Sequence, residues 1–190
     1  MLSDREARWL RRLSFIPRWS VVPITRPQSV AEHSFHVSTL ALWLCGWHAR
    51  RYHGNFVHAV MVYAHTHDIE EAKHGDHPSP TKPFKTPNKE DQVKVLVKCA
   101  DVLEAIQKVY EETLTGNKIA EAYIPDELHE RLRPWWDAFQ WDNSMMLDIG
   151  IEGKPSLEEI VEAAKKQVFD PENPHPAVEK EECYPIKFYG

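Results

Sequence analysis

The sequence predicts an all-α fold, a helical bundle formed by a single domain over residues 1–190. Apolar residues recur every three or four positions through most of the chain, which is the spacing of one face of an α-helix. No segment shows a convincing strand pattern of alternating apolar and polar residues. A chain of 190 residues buries roughly 70% of its unfolded surface, so one core is sufficient for stability.

Six helices are predicted, and glycine and proline residues mark the breaks between them. The first and last helices begin with the pattern S-x-x-E, Ser3 with Glu6 and Ser156 with Glu159, whose side chains satisfy backbone amides of the first turn. The proline-rich segment at about 170–190 is predicted to be an extended tail. The helices are expected at about 3–14, 31–50, 56–72, 90–115, 126–141 and 156–169.

Charge and cysteine content limit the classes of partner. The chain has 23 Lys and Arg, 29 Asp and Glu and 11 His, with a formal net charge of −6. A net acidic surface disfavours polymeric nucleic acid and anionic membranes as partners. The three cysteines form no C-x-x-C pair, which predicts reduced thiols and a cytoplasmic location. No apolar run approaches the roughly 18 residues that span a bilayer, and the charged N-terminus lacks the apolar core of a secretion signal.

Two predicted helices carry polar groups on faces that should be buried. In the second helix, the stripe at steps of four and three begins with a histidine: His33, Val37, Leu40, Leu44 and Trp47. In the third helix, the same spacing ends in two carboxylates: Val57, Met61, Ala64, Asp68 and Glu71. Buried carboxylates must be protonated, paired with a cation or bound to a metal, because burial of an unpaired charge is costly.

A metal site would explain these polar groups together. His67 lies beside Asp68, and Asp101 lies within an apolar run of the fourth helix. Two imidazoles and two carboxylates suit Zn, Mn, Co, Ni or Fe. The alternative is that His33 is a core histidine and that the two aspartates pair with Lys73 or Lys98. The stripes alone leave both interpretations open.

Five motifs, in order along the chain, resemble those of the HD-domain phosphohydrolases, and the match covers about residues 10–120. Within that superfamily the chain is most similar to bacterial 5'-deoxynucleotidases and phage-type dATP triphosphohydrolases. A lone His-Asp pair would carry little weight, whereas an ordered set is specific. The motifs are Arg18-Trp19, Ser29-Val30-Ala31-Glu32-His33-Ser34, His67-Asp68 followed by Glu71, Gly75-Asp76, and Lys98-Cys99-Ala100-Asp101.

The resemblance implies a role for ten residues. One divalent transition metal, Zn, Co or Mn, is expected, with Mg on the phosphates as an additional option. Trp19 is expected to pack against the sugar and favour deoxyribose, because an added hydroxyl would be desolvated without a partner. The expected roles are metal ligation by His33, His67, Asp68 and Asp101, catalysis by Glu71 and Asp76, and substrate binding by Arg18, Trp19, Thr81 and Lys82.

The expected function is a metal-dependent phosphohydrolase of 2'-deoxynucleotides, first of all a dATP-favouring triphosphohydrolase that yields deoxynucleoside and triphosphate. The lysines at 82, 85 and 89, and the short distance of 25 positions between Asp76 and Asp101, favour triphosphates. The alternatives are a 5'-deoxynucleotidase acting on monophosphates and a non-catalytic nucleotide-binding regulator. A homo-oligomer is expected by family analogy. The resemblance assigns no role to His36, His65, His74 or His77.

Overall fold

The computed structural model describes residues 3–20, 22–45, 54–76, 86–123, 125–140 and 154–168. Within these ranges the chain is helical and has no β-strand, and a single β-bridge joins Pro17 to Ser29. The predicted all-α class is confirmed. The predicted tail at 170–190 lies outside the described residues.

Eight α-helices and one short 3-10 helix at Leu13–Phe15 make up the described regions. Both predicted capping boxes are confirmed, at Ser3 with Glu6 and at Ser156 with Glu159. The α-helices are α1 (Asp4–Arg12), α2 (Val30–Leu44), α3 (Gly54–Thr66), α4 (Glu71–His74), α5 (Gln92–Leu114), α6 (Lys118–Tyr123), α7 (Pro125–Ala138) and α8 (Leu157–Lys165).

The prediction of one continuous third helix over 56–72 is wrong. The α3 helix ends at Thr66, and the chain passes through a tight turn in which the amide of Ile69 donates to the carbonyl of Thr66 at 3.0 Å. The imidazole Nδ1 of His67 donates to the carbonyl of Ala64 at 2.7 Å. In a continuing helix that carbonyl would accept the amide of Asp68. The side chain of His67 therefore occupies the acceptor that the next helical hydrogen bond needs.

Two further helix predictions have other outcomes. The second helix is described from Val30 to Leu44 with Cys45 as its C-cap, and residues 46–50 of the predicted span, which include Trp47, lie outside the described residues. The six-residue helix α6 was not predicted, because six residues are too few to show a helical period.

The α5 helix is the central element, and α2, α3, α6, α7 and α8 all pack against it. Its own buried face includes three acids and a lysine as well as apolar residues. The surrounding helices each contribute side chains that are almost fully buried. Examples from α2, α3, α5, α7 and α8 in turn are Leu40, Val60, Leu103, Leu132 and Ile160.

A loop before α2 is held against α5. The amide of Arg18 donates to the carbonyl of Gln28 at 2.8 Å, which closes the base of the loop. Its far side is held by Glu112 of α5, which accepts the amide of Thr25 at 2.6 Å and that of Arg26 at 3.2 Å. These bonds fix the position of Arg18 and its neighbours relative to α5.

No helix within the described ranges is long and apolar enough to cross a bilayer. Cys45 and Cys99 are buried free thiols, and Cys183 lies outside the described residues. Burial raises the pKa of the Cys45 thiol to about 12 and raises that of Cys99 as well. Both thiols are therefore uncharged near neutral pH.

Candidate active site

Four polar side chains meet between α2, α5 and the turn after α3. One potential ligand atom each from His33, His67 and Asp101 lies within 4.8 Å of the others. The Nε2 atom of His33 is 3.1 Å from Oδ1 of Asp101, and Nε2 of His67 is 4.0 Å from the same oxygen. Oδ2 of Asp68 lies 3.5 Å from Nε2 of His33 and 3.2 Å from Nε2 of His67. These four residues form the His–Asp cluster.

The hydrogen bonds of the two rings set their orientation. Nδ1 of His33 lies 2.6 Å from Oε2 of Glu104, and Nδ1 of His67 lies 2.7 Å from the carbonyl of Ala64. Both partners are acceptors, so each Nδ1 is the donor. Both Nε2 atoms are buried and have no hydrogen-bond partner among the described residues.

This arrangement is electrostatically unfavourable unless a cation lies within it. With Nδ1 protonated, each neutral ring directs the lone pair of Nε2 at carboxylate oxygens that also carry lone pairs. A metal ion relieves that repulsion, and a hydrogen bond from Nδ1 to a carboxylate or carbonyl is the usual support of a metal-bound histidine. The residues present therefore fit a divalent metal ion with nitrogen and oxygen ligands.

Without a metal, a proton on His33 balances the charge. Burial and the nearby Arg18 lower the pKa of His33, but Glu104, Asp101 and Asp68 outweigh them and raise it to about 10. For both carboxylates of the cluster, burial raises the pKa, but neighbouring groups hold it far below its usual value: His33 and His67 beside Asp68, and Lys98 and His33 beside Asp101. The acids are thus ionised, as metal ligands must be.

The two lysines that offered an alternative to a metal behave differently. Nζ of Lys98 pairs with Oδ2 of Asp101, and Oδ1 of the same carboxylate faces the histidines. Lys73 pairs with Glu70 at 2.6 Å rather than with Asp68. The ion pair with Lys98 therefore coexists with the cluster and does not replace it.

Glu104 is a site residue that the sequence analysis missed. It lies on α5 one turn after Asp101 and is 2% exposed. Its carboxylate contacts His33, Arg18 and Gln28. Burial raises its pKa, but His33 and the other donors around it outweigh burial and keep it ionised. The available signal was an acid inside the apolar run that follows Asp101.

Arg18 and Trp19 lie beside this carboxylate. Nη1 of Arg18 is 3.2 Å from Oε2 of Glu104, and the guanidinium carbon is 5.7 Å from the centre of the Trp19 ring. The indole Nε1 of Trp19 donates to Oε1 of Gln28 at 3.0 Å. Trp19 has a φ of 65°, which is uncommon for a residue with a side chain and is typical of functional loops.

Glu71 is the first residue of the short helix α4, and Asp76 lies two residues after its end. Glu71 is 6% exposed. Its amide donates to the carbonyl of Asp68 at 2.9 Å, which holds the backbone of Glu71 next to that of a cluster residue. Asp76 is half-buried and is one of the acids that raise the pKa of Arg18 against burial. Asp76 follows Gly75, whose φ of 82° and ψ of 175° belong to a region that only glycine commonly adopts.

The remaining sequence predictions have mixed outcomes. Thr81 and Lys82 lie outside the described residues, as does His77. Nδ1 of His36 is 3.6 Å from Oε1 of Glu104, so this histidine borders the site. His65 and His74 are exposed, and neither belongs to the cluster.

Comparison with solved structures identifies the fold. The HD phosphohydrolase DatZ of cyanophage S-2L, a structure with dA and one catalytic Zn²⁺ ion bound, aligns with a TM-score of 0.57 at 19% sequence identity. The alignment covers 88% of this chain and 97% of that chain. The chain therefore has the helical fold of the HD-domain phosphohydrolases.

The sequence comparisons give the proteins to which this chain is similar. Residues 7–87 match the family model described as 5'-deoxynucleotidase YfbR-like. The chain is 29% identical to the 5'-deoxynucleotidase YfbR of Salmonella typhi over 133 residues, which are 70% of this chain and 58% of that protein. It is also 29% identical to the 5'-deoxynucleotidase of Cronobacter sakazakii over 130 residues, 68% of this chain and 57% of that protein. The chain thus spans under two thirds of the length of these relatives. Together with the fold, these matches confirm the predicted resemblance to HD-domain phosphohydrolases.

Proposed function

We propose that the protein is a metal-dependent phosphohydrolase that releases a deoxynucleoside from a 2'-deoxynucleotide. The observation that carries the proposal is the pair of buried Nε2 atoms of His33 and His67, which face ionised carboxylates and have their Nδ1 atoms engaged elsewhere. The proposed ligands are the four residues of the His–Asp cluster, and the proposed metal is Zn, Co or Mn. The names of the relatives support deoxynucleotides as the substrate class.

The side chains around the cluster have separate proposed tasks. A bound divalent ion would supply Lewis acidity at the phosphate and activate water for attack at phosphorus near neutral pH. Arg18, which is already held by Glu104, would contribute positive charge to phosphate oxygens beside the cluster. Glu71 would donate a proton to the departing 5'-oxygen, which is a poor leaving group as an alkoxide. Asp76 would orient water or Glu71.

The number of phosphates on the substrate divides the proposal into two candidates. The names of the relatives favour monophosphates, which a 5'-deoxynucleotidase cleaves to deoxynucleoside and phosphate. Lysines 82, 85 and 89 favour triphosphates, with dATP as the first candidate, because three cations in an acidic chain suit a longer anion. Thr81 and Lys82 stay predictions as contacts of that anion.

A product analysis separates the candidates. The purified protein is analysed for bound metal and then incubated with dAMP, dATP, dGTP and ATP. Inorganic phosphate from dAMP identifies a deoxynucleotidase, and triphosphate from dATP identifies a triphosphohydrolase. Metal binding and nucleotide binding without any hydrolysis would refute the proposal and would indicate a nucleotide-binding regulator.

The proton donor has a matched control on the adjacent residue. Glu71→Gln is expected to lower the rate by about 10²- to 10⁴-fold, because general-acid catalysis contributes about that much. Glu70→Gln changes the same functional group on an exposed side chain that pairs with Lys73, and it should leave the rate within about twofold of wild type. Equal rates for the two variants would remove Glu71 from the mechanism.

The sugar preference tests the role of Trp19. Trp19→Ala is expected to raise the ratio of the ATP rate to the dATP rate, since the indole no longer leaves a 2'-hydroxyl desolvated without a partner. Trp9→Ala is the control, because Trp9 lies between Arg5 and Lys73 on the α1 face and not beside Glu104. An unchanged ratio in the Trp19 variant would contradict this role.

A further inference from the structure

We propose that Glu104 is a positioning residue that fixes the proton of His33 on Nδ1 and so keeps Nε2 available to a metal ion. The inference rests on the metal site of the proposed function but not on its substrate. Glu104 follows Asp101 by one turn of α5 and is 2% exposed. A carboxylate at such a depth is retained only with several donors around it.

The donors around Glu104 fill both of its oxygens. Oε2 accepts from Nδ1 of His33 at 2.6 Å and from Nη1 of Arg18 at 3.2 Å. Oε1 accepts from Nε2 of Gln28 at 2.6 Å, and Nδ1 of His36 lies 3.6 Å from the same oxygen. An ionised carboxylate is purely an acceptor, so every group that it contacts must present a hydrogen.

The contacts beyond Glu104 prevent the network from reversing its polarity. Gln28 presents its amide nitrogen to Glu104 and its oxygen to Nε1 of Trp19, which is only a donor. Arg18 is likewise only a donor. Glu104 therefore requires a hydrogen on Nδ1 of His33, because its other partners can act only as donors toward it. Nε2 is then the nitrogen of His33 that is available to a metal.

A glutamine at position 104 cannot satisfy the same set of donors. Its oxygen can replace only one of the two carboxylate oxygens, and its amide nitrogen then faces another donor. If the nitrogen faces His33, the ring must accept on Nδ1, and the hydrogen moves to Nε2. If the nitrogen faces Gln28, that side chain must turn over and release Trp19. Either arrangement disturbs the network. The first also places a hydrogen on Nε2 of His33, the nitrogen that would bind the metal.

Glu112 on the same helix provides the matched control. It is as buried as Glu104, at 2% exposed, and accepts the amides of Thr25 and Arg26 and the side-chain amide of Asn117 at 2.8 Å. It also pairs with Lys108 at 3.1 Å. Glu112 thus anchors the same loop as Glu104 does, but within the described residues its hydrogen bonds and ion pairs reach no member of the His–Asp cluster. Replacing Glu112 therefore measures the effect of losing a buried acid while the contact between Glu104 and the His33 ring is kept.

The test measures metal affinity and the protonation of His33, without nucleotide. Zn²⁺ and Co²⁺ are titrated calorimetrically into metal-free wild type, Glu104→Gln and Glu112→Gln. Glu104→Gln is expected to weaken binding by about 10- to 100-fold, as loss of a partner of a metal-bound histidine does. Glu112→Gln should change the affinity by less than about threefold, although both variants lower stability. Glu104→Asp keeps the charge and should recover part of the loss.

Two outcomes would overturn the inference. One is that Glu104→Gln binds metal as tightly as wild type although its unfolding free energy is lower. Glu104 would then stabilise the fold without positioning His33 for a metal. The other needs no variant: ¹⁵N spectra of Zn²⁺-loaded wild type must show a proton on Nδ1 of His33, and its absence contradicts the inference even if Glu104→Gln does not fold. If wild type hydrolyses no nucleotide but Glu104→Gln still weakens metal binding, only the proposed function fails.

Discussion

Raising the pH is expected to destabilise the metal-free protein, because one buried imidazole holds a proton. Nδ1 of His33 is 2.6 Å from Glu104, and its Nε2 is 3.1 Å from Asp101. Burial and Arg18 lower the pKa of this ring, but the surrounding anions outweigh them and raise it from 6.5 to about 10. A raised folded-state pKa stabilises the fold below the unfolded-state pKa, and this stabilisation is lost as the pH rises toward the folded-state value.

The size of the effect follows from that shift. The proton on His33 contributes about 5 kcal/mol to the unfolding free energy at low pH, and about 2 kcal/mol of this is lost between pH 6.5 and about pH 8.5. Urea unfolding in EDTA, followed by tryptophan fluorescence, measures the loss. The range stops at about pH 8.5 because the unfolded Cys45 and Cys99 thiols ionise above it, which adds a second loss of stability.

Two variants separate His33 from the other titrating groups. His33→Gln does not titrate and should lose about 2 kcal/mol less than wild type across this range. His65→Gln alters an exposed histidine bonded to the carbonyl of Met61 and should follow the wild-type curve. If the wild-type and His33→Gln curves run parallel between the two pH values, the proton does not reside on His33 and the charge balance described for the cluster is refuted.

Three further predictions concern single substitutions. Asp68→Ala should remove the metal and lower activity by at least about 10³-fold, or about 4 kcal/mol of barrier. Metal analysis and steady-state rates check this, and a retained rate contradicts the ligand role. Gly75→Ala should lower the unfolding free energy by about 1–3 kcal/mol, because φ is 82° and ψ is 175° there; an unchanged urea midpoint would refute this strain. Leu103→Ala, at a fully buried position, should lower the unfolding free energy by about 2–5 kcal/mol. Phe15→Ala, at an 81% exposed position, should lower it by under about 0.5 kcal/mol. Equal losses in chemical unfolding would contradict the assigned core.

The sequence was sufficient to predict the helical class and the residues that form the His–Asp cluster. Its helical spacing placed His33 at the head of a stripe of buried apolar residues, and Val37, Leu40 and Leu44 are indeed buried with it. Serine caps were also predictable, because the S-x-x-E box is a local pattern. The buried stripe and the caps depend on residues a few positions apart, which is the range over which periodicity is informative. The cluster joins residues that are far apart in sequence, and its membership was predicted from the resemblance to the HD-domain phosphohydrolases.

Features that depend on particular side-chain hydrogen bonds, or on contacts between distant segments, were not predictable. The break after Thr66 coincides with a hydrogen bond from the His67 ring to the carbonyl of Ala64, and no hydropathy pattern encodes that bond. In α3 the fully buried residues are Val60 and Ala64, whereas Val57 and Met61 of the predicted stripe are only partly buried. Glu104 was overlooked because its partners come from α2 and from the preceding loop, 71 to 86 positions away in sequence.

The bond from His67 to Ala64 has a consequence for experiments on this site. The last carbonyls of a helix have no partner within it, so the His67 ring acts as a cap of α3 as well as a member of the His–Asp cluster. A substitution of His67 removes both the cap and a proposed metal ligand, and lost metal binding in that variant alone does not separate the two effects. Conversely, an ion that holds this ring in place also holds the last turn of α3, and amide exchange there should slow when metal is added.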